Sequence, residues 1–234
     1  MNVLIVHAHP EPQSFTTSMK DLAAATFKES GNAVQVSDLY AMRFNPVATE
    51  CDFTSRSNPD YLVYALEQRH NYDSGSLADD ISAEIDKLKW ADMLVLTFPV
   101  FWYSTPAIMK GWIDRVLISG LAYGGKRFYD RGGMRGKRAL IAATLGGQPH
   151  MFGPATVHGE LEVMLRHVLQ GTLGYVGFDV LPPFFAYHVP YISEQARANY
   201  LDRFQDHLMR LDYMEPMQMP SLDAFDDVFR PLPQ

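Results

Sequence analysis

What most constrains this chain is a repeated alternation of strand-like apolar segments with segments of helical periodicity. Residues 2–8 carry Val3, Leu4, Ile5 and Val6 without a polar break, and residues 92–98 and 138–144 repeat that pattern. A run that is apolar throughout reads as a strand covered on both faces, as in a parallel sheet. Residues 33–38 and 177–181 read as two further strands, the last stopped by Pro182 and Pro183.

Between the strands, apolar residues recur at helical spacing. Phe15, Met19, Leu22, Ala23 and Phe27 follow a Ser14 or Thr16 cap and end at Gly31. Residues 81–90 are helical. Thr105 predicts an N-cap and Pro106 a first helical position for a helix ending near Gly120. Residues 158–169 place Leu161, Met164, Leu165, Val168 and Leu169 on one stripe, and Ser193 caps a last helix with Tyr200, Leu201, Phe204 and Leu208. The expected fold is α/β, a flavodoxin-like doubly wound five-stranded parallel sheet with helices on both faces. Its ligand belongs at the switch point beside the first and third strands.

Residues 1–210 hold this pattern as one domain. Within it, the polar stretch 45–78 has few periodic signals and reads as a functional excursion. Residues 211–234, with Pro216, Pro220, Pro231 and Pro233, read as an irregular tail that wraps a neighbouring surface or is partly disordered.

A net charge of -7 argues against nucleic acid as a partner. The basic stretch 126–138 reads as a solvated hairpin, with anion binding as the alternative. Cys51 is the only cysteine, which excludes an intrachain disulfide and suits a reducing compartment. No apolar run approaches the ~20 residues of a membrane span. The start, MNVLIVHAH, has neither a basic region nor a cleavage site. A cytoplasmic protein without membrane insertion is expected.

Three loops should meet at the carboxyl edge of the sheet. Residues 7–15 offer Gln13, Ser14, Thr16 and a helix N-terminus, which suit a phosphate or simple capping. Neither a P-loop nor a G-x-G-x-x-G pattern is present. Residues 99–104 contain Phe101, Trp102 and Tyr103, which read either as a ligand platform or as a lid on the core. Residues 144–154 carry Gly146 and Gly147, where backbone can approach a flat ring or make an ordinary turn. His7 and His9 imitate a metal pair, but no third ligand follows at suitable spacing, so no metal is expected. His158 sits at the start of an expected helix, where the dipole would keep it neutral. His70, His167 and His207 read as surface or packing residues.

The blocks AHPEPQSF, SDLYAMRFNP, FPVFWYSTPAIMKGWIDRV, LAYGGKRFYDRGG, LGGQPHMFGPATVHGE and YVGFDVLPP resemble, in order and spacing, the NAD(P)H:quinone oxidoreductase family of DT-diaphorase type. The resemblance implies FAD rather than FMN, NAD(P)H as co-substrate, a quinone as acceptor, and a homodimer with a shared active site. It implies a ping-pong reaction in which a hydride passes through the flavin. His9, Ser14, Phe15 and Thr16 would hold the FAD diphosphate region. Pro99, Val100, Phe101, Trp102 and Tyr103 would line the ring, and Thr144, Leu145, Gly146 and Gly147 would cover its other side. Asp114 and Arg197 match positions near the adenosine end. Trp102, Tyr103, Tyr123, His158 and, from the partner, Tyr175 would shape the substrate pocket.

Two departures from the family pattern stand out. His158 is present as the family's catalytic His, but Phe152 occupies the place of its Tyr and cannot donate a hydrogen bond. Tyr123 is followed by Gly124 and Gly125, so the second ring of a Tyr-x-Tyr pair is missing and the opening should widen. The alternative functions are an azo- or nitro-compound reductase, a flavin-binding regulatory subunit of a membrane potassium efflux system, and a flavodoxin-like electron carrier.

Overall fold

The computed structural model describes residues 1–233. Strands β1 (Asn2–His7), β2 (Ala33–Asp38), β3 (Met93–Pro99), β4 (Arg138–Thr144) and β5 (Asp179–Val180) form a parallel sheet in the order β2-β1-β3-β4-β5. A sixth strand, β6 (Phe184–Ala186), also pairs with β4. Successive side chains of a strand face opposite ways. Val3, Ile5, Met93, Val95, Leu140 and Ala142 therefore enter one core, beneath α1 (Phe15–Glu29) and the last helix, Glu194–Met209. Leu4, Val6, Leu94, Leu96, Ala139 and Ile141 enter the other. That second core is covered by α3 (Asp79–Trp90), α4 (Ala107–Val116) and the short α5 (Leu161–Met164) and α6 (Arg166–Val168).

The fifth strand is not the single run expected over 177–181. Leu181 still donates to the Ala139 carbonyl, at 2.8 Å. Pro182 and Pro183 lack N–H groups, so pairing lapses there and resumes at Phe184 opposite Ala142. The proline pair interrupts the edge and does not end it. This matters for the site, because the loop after β6 also opens at the carboxyl edge.

The excursion 45–78 contains a helix that periodicity did not reveal, α2 (Tyr64–Ser74). Its buried face is polar, made of Glu67, Gln68 and Asn71. Glu67 accepts from the N–H groups of Ser57 and Asn58, both at 2.9 Å, and from Ser57 Oγ at 2.8 Å. The Ser57 N–H, above all, holds its carboxyl down at about 2. Arg115 on α4 anchors the excursion further. It bonds buried Asp52 at 2.8 Å and Asp80 at 2.7 Å. Burial works against its charge, but these carboxylates outweigh that and raise its pKa. Gly111 lies so close to the chain at Pro46 that a Cβ would sit 2.3 Å from Pro46 Cα.

Two further boundaries shift. Pro106, with extended ψ of 151°, is the N-cap of α4 in place of Thr105, which is buried. At its other end α4 stops at Val116, since Leu117 and Ile118 turn into the core.

The tail, as far as residue 233, packs on the domain. Leu211 and Leu222 are buried, and Met217 and Met219 lie against the second core. The basic stretch is not a free solvated hairpin. Lys126, Arg131 and Arg138 pair with Asp227, Asp223 and Asp212 of the tail.

Candidate active site

The three loops at the carboxyl edge enclose a cleft of about 530 Å³, within the range of small-molecule sites. It is lined by His9, Ser14, Phe15, Thr16, Pro99, Val100, Phe101, Thr144, Leu145, Gly146 and Arg197. Gln13, Ser18, Val189 and Pro190 join them. Val189 and Pro190 escaped sequence reasoning because they follow β6. Had the apolar Phe184–Ala186 segment been recognised as a strand, the edge rule would have pointed to them.

One end of the cleft gathers unpaired donors and positive charge. Ser14 caps α1, its side chain accepting from Thr17 N–H. The N–H groups of Phe15 and Thr16 are left without a partner among the described residues. The positive end of a 15-residue helix therefore faces the cleft, with the Arg197 cation on the same lining. The Thr16 and Thr144 hydroxyls bond each other at 2.8 Å and tie α1 to the end of β4. Burial lowers the pKa of His9, and Glu11 N–H donates to its Nδ1 at 3.0 Å. The same Nδ1 lies 3.1 Å from the Glu11 carbonyl oxygen, so this loop backbone holds the ring in place.

The aromatic loop is a strained turn. Phe101 and Ser104 exchange two backbone hydrogen bonds, of 3.0 and 2.9 Å. Between them Trp102 and Tyr103 both have positive φ, 52° and 54°. Glycine and asparagine are the usual occupants of such positions, and bulky residues there cost about 1–3 kcal/mol each. The turn leaves the N–H groups of Trp102 and Tyr103 without partners among the described residues. The Trp102 side chain is 98% exposed.

Opposite this turn, Gly147 has the Phe152 ring against it; a Cβ would lie 2.7 Å from that ring. Phe152 and His158 pack at 5.1 Å, and the Tyr103 hydroxyl lies 3.1 Å from His158 Nδ1. His158 does not open a helix. Gly159, at φ 76°, breaks the run and α5 starts only at Leu161, so the dipole argument does not apply to it. His188 holds the Gly pair, its N–H bonding Gly147 O and its Nδ1 bonding Gly146 O, both at 2.9 Å.

Trp102, Tyr103, Gly147, Phe152 and His158 stand beside this cleft without being among the residues that line it, and three expected residues lie elsewhere. Asp114 is on the exposed face of α4, paired with Lys110, and lines a separate cavity with Tyr123 and Tyr175. The two tyrosine rings are 5.9 Å apart. No lining residue is common to this cavity and the cleft. Burial, and then Tyr175, raise the Tyr123 pKa. No group of three His, Cys, Asp or Glu side chains suited to a metal occurs among the described residues.

His7, beneath the cleft, is held between Thr97 Oγ1 at 2.8 Å and Thr17 Oγ1 at 3.2 Å. Burial pushes its pKa from 6.5 to about 4. The unfolded chain therefore binds the extra proton first as pH falls. The stability contributed by the neutral ring is complete above pH 6.5 and is lost as pH drops through about 4, at up to about 1.4 kcal/mol per pH unit. Urea titrations across this window should show His7→Gln with a shallower loss than the parent protein. Equal slopes would exclude the assignment.

Residues 1–208 match a family model described as having a flavodoxin-like fold. The human ribosyldihydronicotinamide dehydrogenase [quinone] is 40% identical over 216 residues, covering 92% of this chain and 94% of the relative. The chain belongs to the NAD(P)H:quinone oxidoreductase family. A second member, rat NAD(P)H dehydrogenase [quinone] 1, is 37% identical over 95% of this chain and 82% of its own length. Among solved structures, one from Klebsiella pneumoniae described as a candidate quinone reductase superposes with a TM-score of 0.92 at 34% identity. That match covers 96% of this chain and 91% of the other. No helix is long and apolar enough to cross a membrane among the described residues.

Proposed function

We propose that this chain is a cytoplasmic NAD(P)H:quinone reductase that holds FAD in the carboxyl-edge cleft and works as a homodimer by a ping-pong sequence. The single observation that carries the reading is the convergence on one cleft of a free helix N-terminus, the Arg197 side chain, Phe101 at the start of the aromatic turn and Gly146. The donor set fits a flavin dinucleotide. Phe15 and Thr16 N–H groups, with Arg197, suit the diphosphate. The Trp102 and Tyr103 N–H groups suit the polar edge of the ring, and Gly146 and Gly147 allow close approach to its face.

Bound flavin would supply the two-electron carrier: a hydride comes from the reduced nicotinamide and goes to the quinone, and one proton completes the hydroquinone. The protein's part is to orient and to hold charge. The Tyr103 hydroxyl can donate to His158 Nδ1, which leaves the Nε2–H of His158 to face developing negative charge. Phe152 packs its apolar ring against His158 on the same side. Tyr123 and Tyr175 are remote from the cleft of their own chain, and Trp102 is uncovered. A second copy that brings Tyr123 and Tyr175 of the partner subunit over the cleft satisfies both.

The purified protein should be yellow, bleach on anaerobic NADPH, and regain colour with 1,4-benzoquinone. Acid should release FAD. Colourless protein that takes up no added flavin would overturn the reading. Light scattering should report twice the 26.5 kDa chain mass, and a monomer would remove the shared site.

A further inference from the structure

Tyr175 belongs to an aromatic cluster that the tail closes. The Phe128 ring stacks on Tyr175, with centroids 5.4 Å apart and planes 10° from parallel. Tyr129 meets Tyr175 edge-on at 5.7 Å, and Tyr129 N–H donates to Tyr175 O at 2.7 Å. Phe229 of the tail packs on Phe128 at 4.9 Å. Phe229 sits at φ 61°. It is held there by a loop in which Asp226 N–H bonds Arg230 O and Leu232 N–H bonds Ala224 O, both at 2.9 Å.

The tail grips the same segment at three other residues and meets Tyr175's neighbour Gly174 at a fourth. Asp130 accepts from Ser221 Oγ at 2.7 Å and from Leu222 N–H at 3.1 Å. Arg131 pairs with Asp223 and Lys126 with Asp227. Met219 lies on Gly174, where a Cβ would stand 2.5 Å from its sulfur. The exposed ion pairs contribute little singly. The Phe229 contact reaches Tyr175 through Phe128, and the Met219 seat reaches it through its chain neighbour Gly174.

We propose that residues 211–233 act as a strap that fixes the Phe128–Tyr175 stack, making Phe229 a positioning residue that sets which quinones the pocket accepts. The inference rests on the quinone-reductase reading and adds the tail to it. A second ring lost beside Tyr123, where Gly124 and Gly125 stand, leaves Tyr175 as the main aromatic wall. Its orientation then decides whether a fused two-ring acceptor can lie flat, whereas a single ring needs less of that wall.

The test uses the full-length flavin-loaded protein and its Phe229→Ala and Phe229→Tyr variants. Phe229→Ala should raise KM for 2-methyl-1,4-naphthoquinone about three- to tenfold, the size of one lost aromatic contact. KM for 1,4-benzoquinone, flavin content and the rate of reduction by NADPH should stay unchanged. Hydrogen exchange over 125–131 and 172–177 should quicken in Phe229→Ala, and Phe229→Tyr should behave as the parent on every measure. Unchanged exchange would show that the tail does not hold the stack. Faster exchange with both KM values unchanged would show that the stack does not set acceptor choice. If the parent reduces neither quinone, the reductase reading fails and the acceptor role with it, while the exchange arm still decides whether the strap exists.

Discussion

His158→Ala is expected to slow reduction of the bound flavin by NADPH about 100-fold or more while leaving flavin content at the parent level. The side chain stands against the aromatic turn and is not among the residues that line the cleft at the start of α1. It packs on Phe152 at 5.1 Å and bonds the Tyr103 hydroxyl at 3.1 Å. Removing it takes away the one ring N–H that can meet charge where Phe152 offers none. Tyr103→Phe should reproduce part of the loss, because an unbonded Nδ1 no longer fixes which nitrogen carries the proton. Stopped-flow absorbance measures the reduction step directly. A parent-like rate in His158→Ala would remove His158 from the chemistry.

Arg115→Met is expected to cost about 3–5 kcal/mol of folding free energy, the usual penalty for breaking one side of a buried ion pair. Against a typical total of roughly 5–15 kcal/mol, that is enough to loosen the excursion at physiological temperature. Asp52 is 2% exposed on its side chain, and without Arg115 its carboxylate keeps only the Tyr64 hydroxyl and the Thr49 N–H. The second substitution should repair part of the damage: Asp52→Asn in the Arg115→Met background removes the stranded charge. Urea unfolding of the two single variants and the pair gives the coupling. A double variant no more stable than Arg115→Met would show that the stranded charge is not the cause.

Much of the fold was legible because its elements announce themselves locally. β1, β3 and β4 are apolar without interruption, and Ser14 and Ser193 cap α1 and the last helix as their side chains suggest. Where the signal was non-local, reading failed. α2 buries Glu67, Gln68 and Asn71, so its inward stripe is polar and hydrophobic periodicity cannot see it. Pro182 and Pro183 spell the end of a strand, yet pairing resumes beyond them, since β4 remains available as a template. His158 precedes the helix that periodicity starts at residue 158, because Gly159 postpones it to Leu161.

Of the positions expected to hold a cofactor, most share one cleft, since loops at the carboxyl ends of adjacent parallel strands cannot avoid meeting. The positions expected to line a substrate pocket are divided: Tyr103 and His158 stand together, and Tyr123 and Tyr175 stand apart beside Asp114.

By itself the order of residues determined the strand and helix alternation, the parallel doubly wound sheet and the loops at its carboxyl edge, because period and capping act over a few neighbours. Only the tertiary structure decided that Trp102 and Tyr103 occupy a strained turn, that Tyr103 and not residue 152 supplies a hydroxyl to His158, and that the tail is bound against the Phe128–Tyr175 stack. Those outcomes depend on which distant groups are brought within a few ångströms, and no local pattern carries that distance.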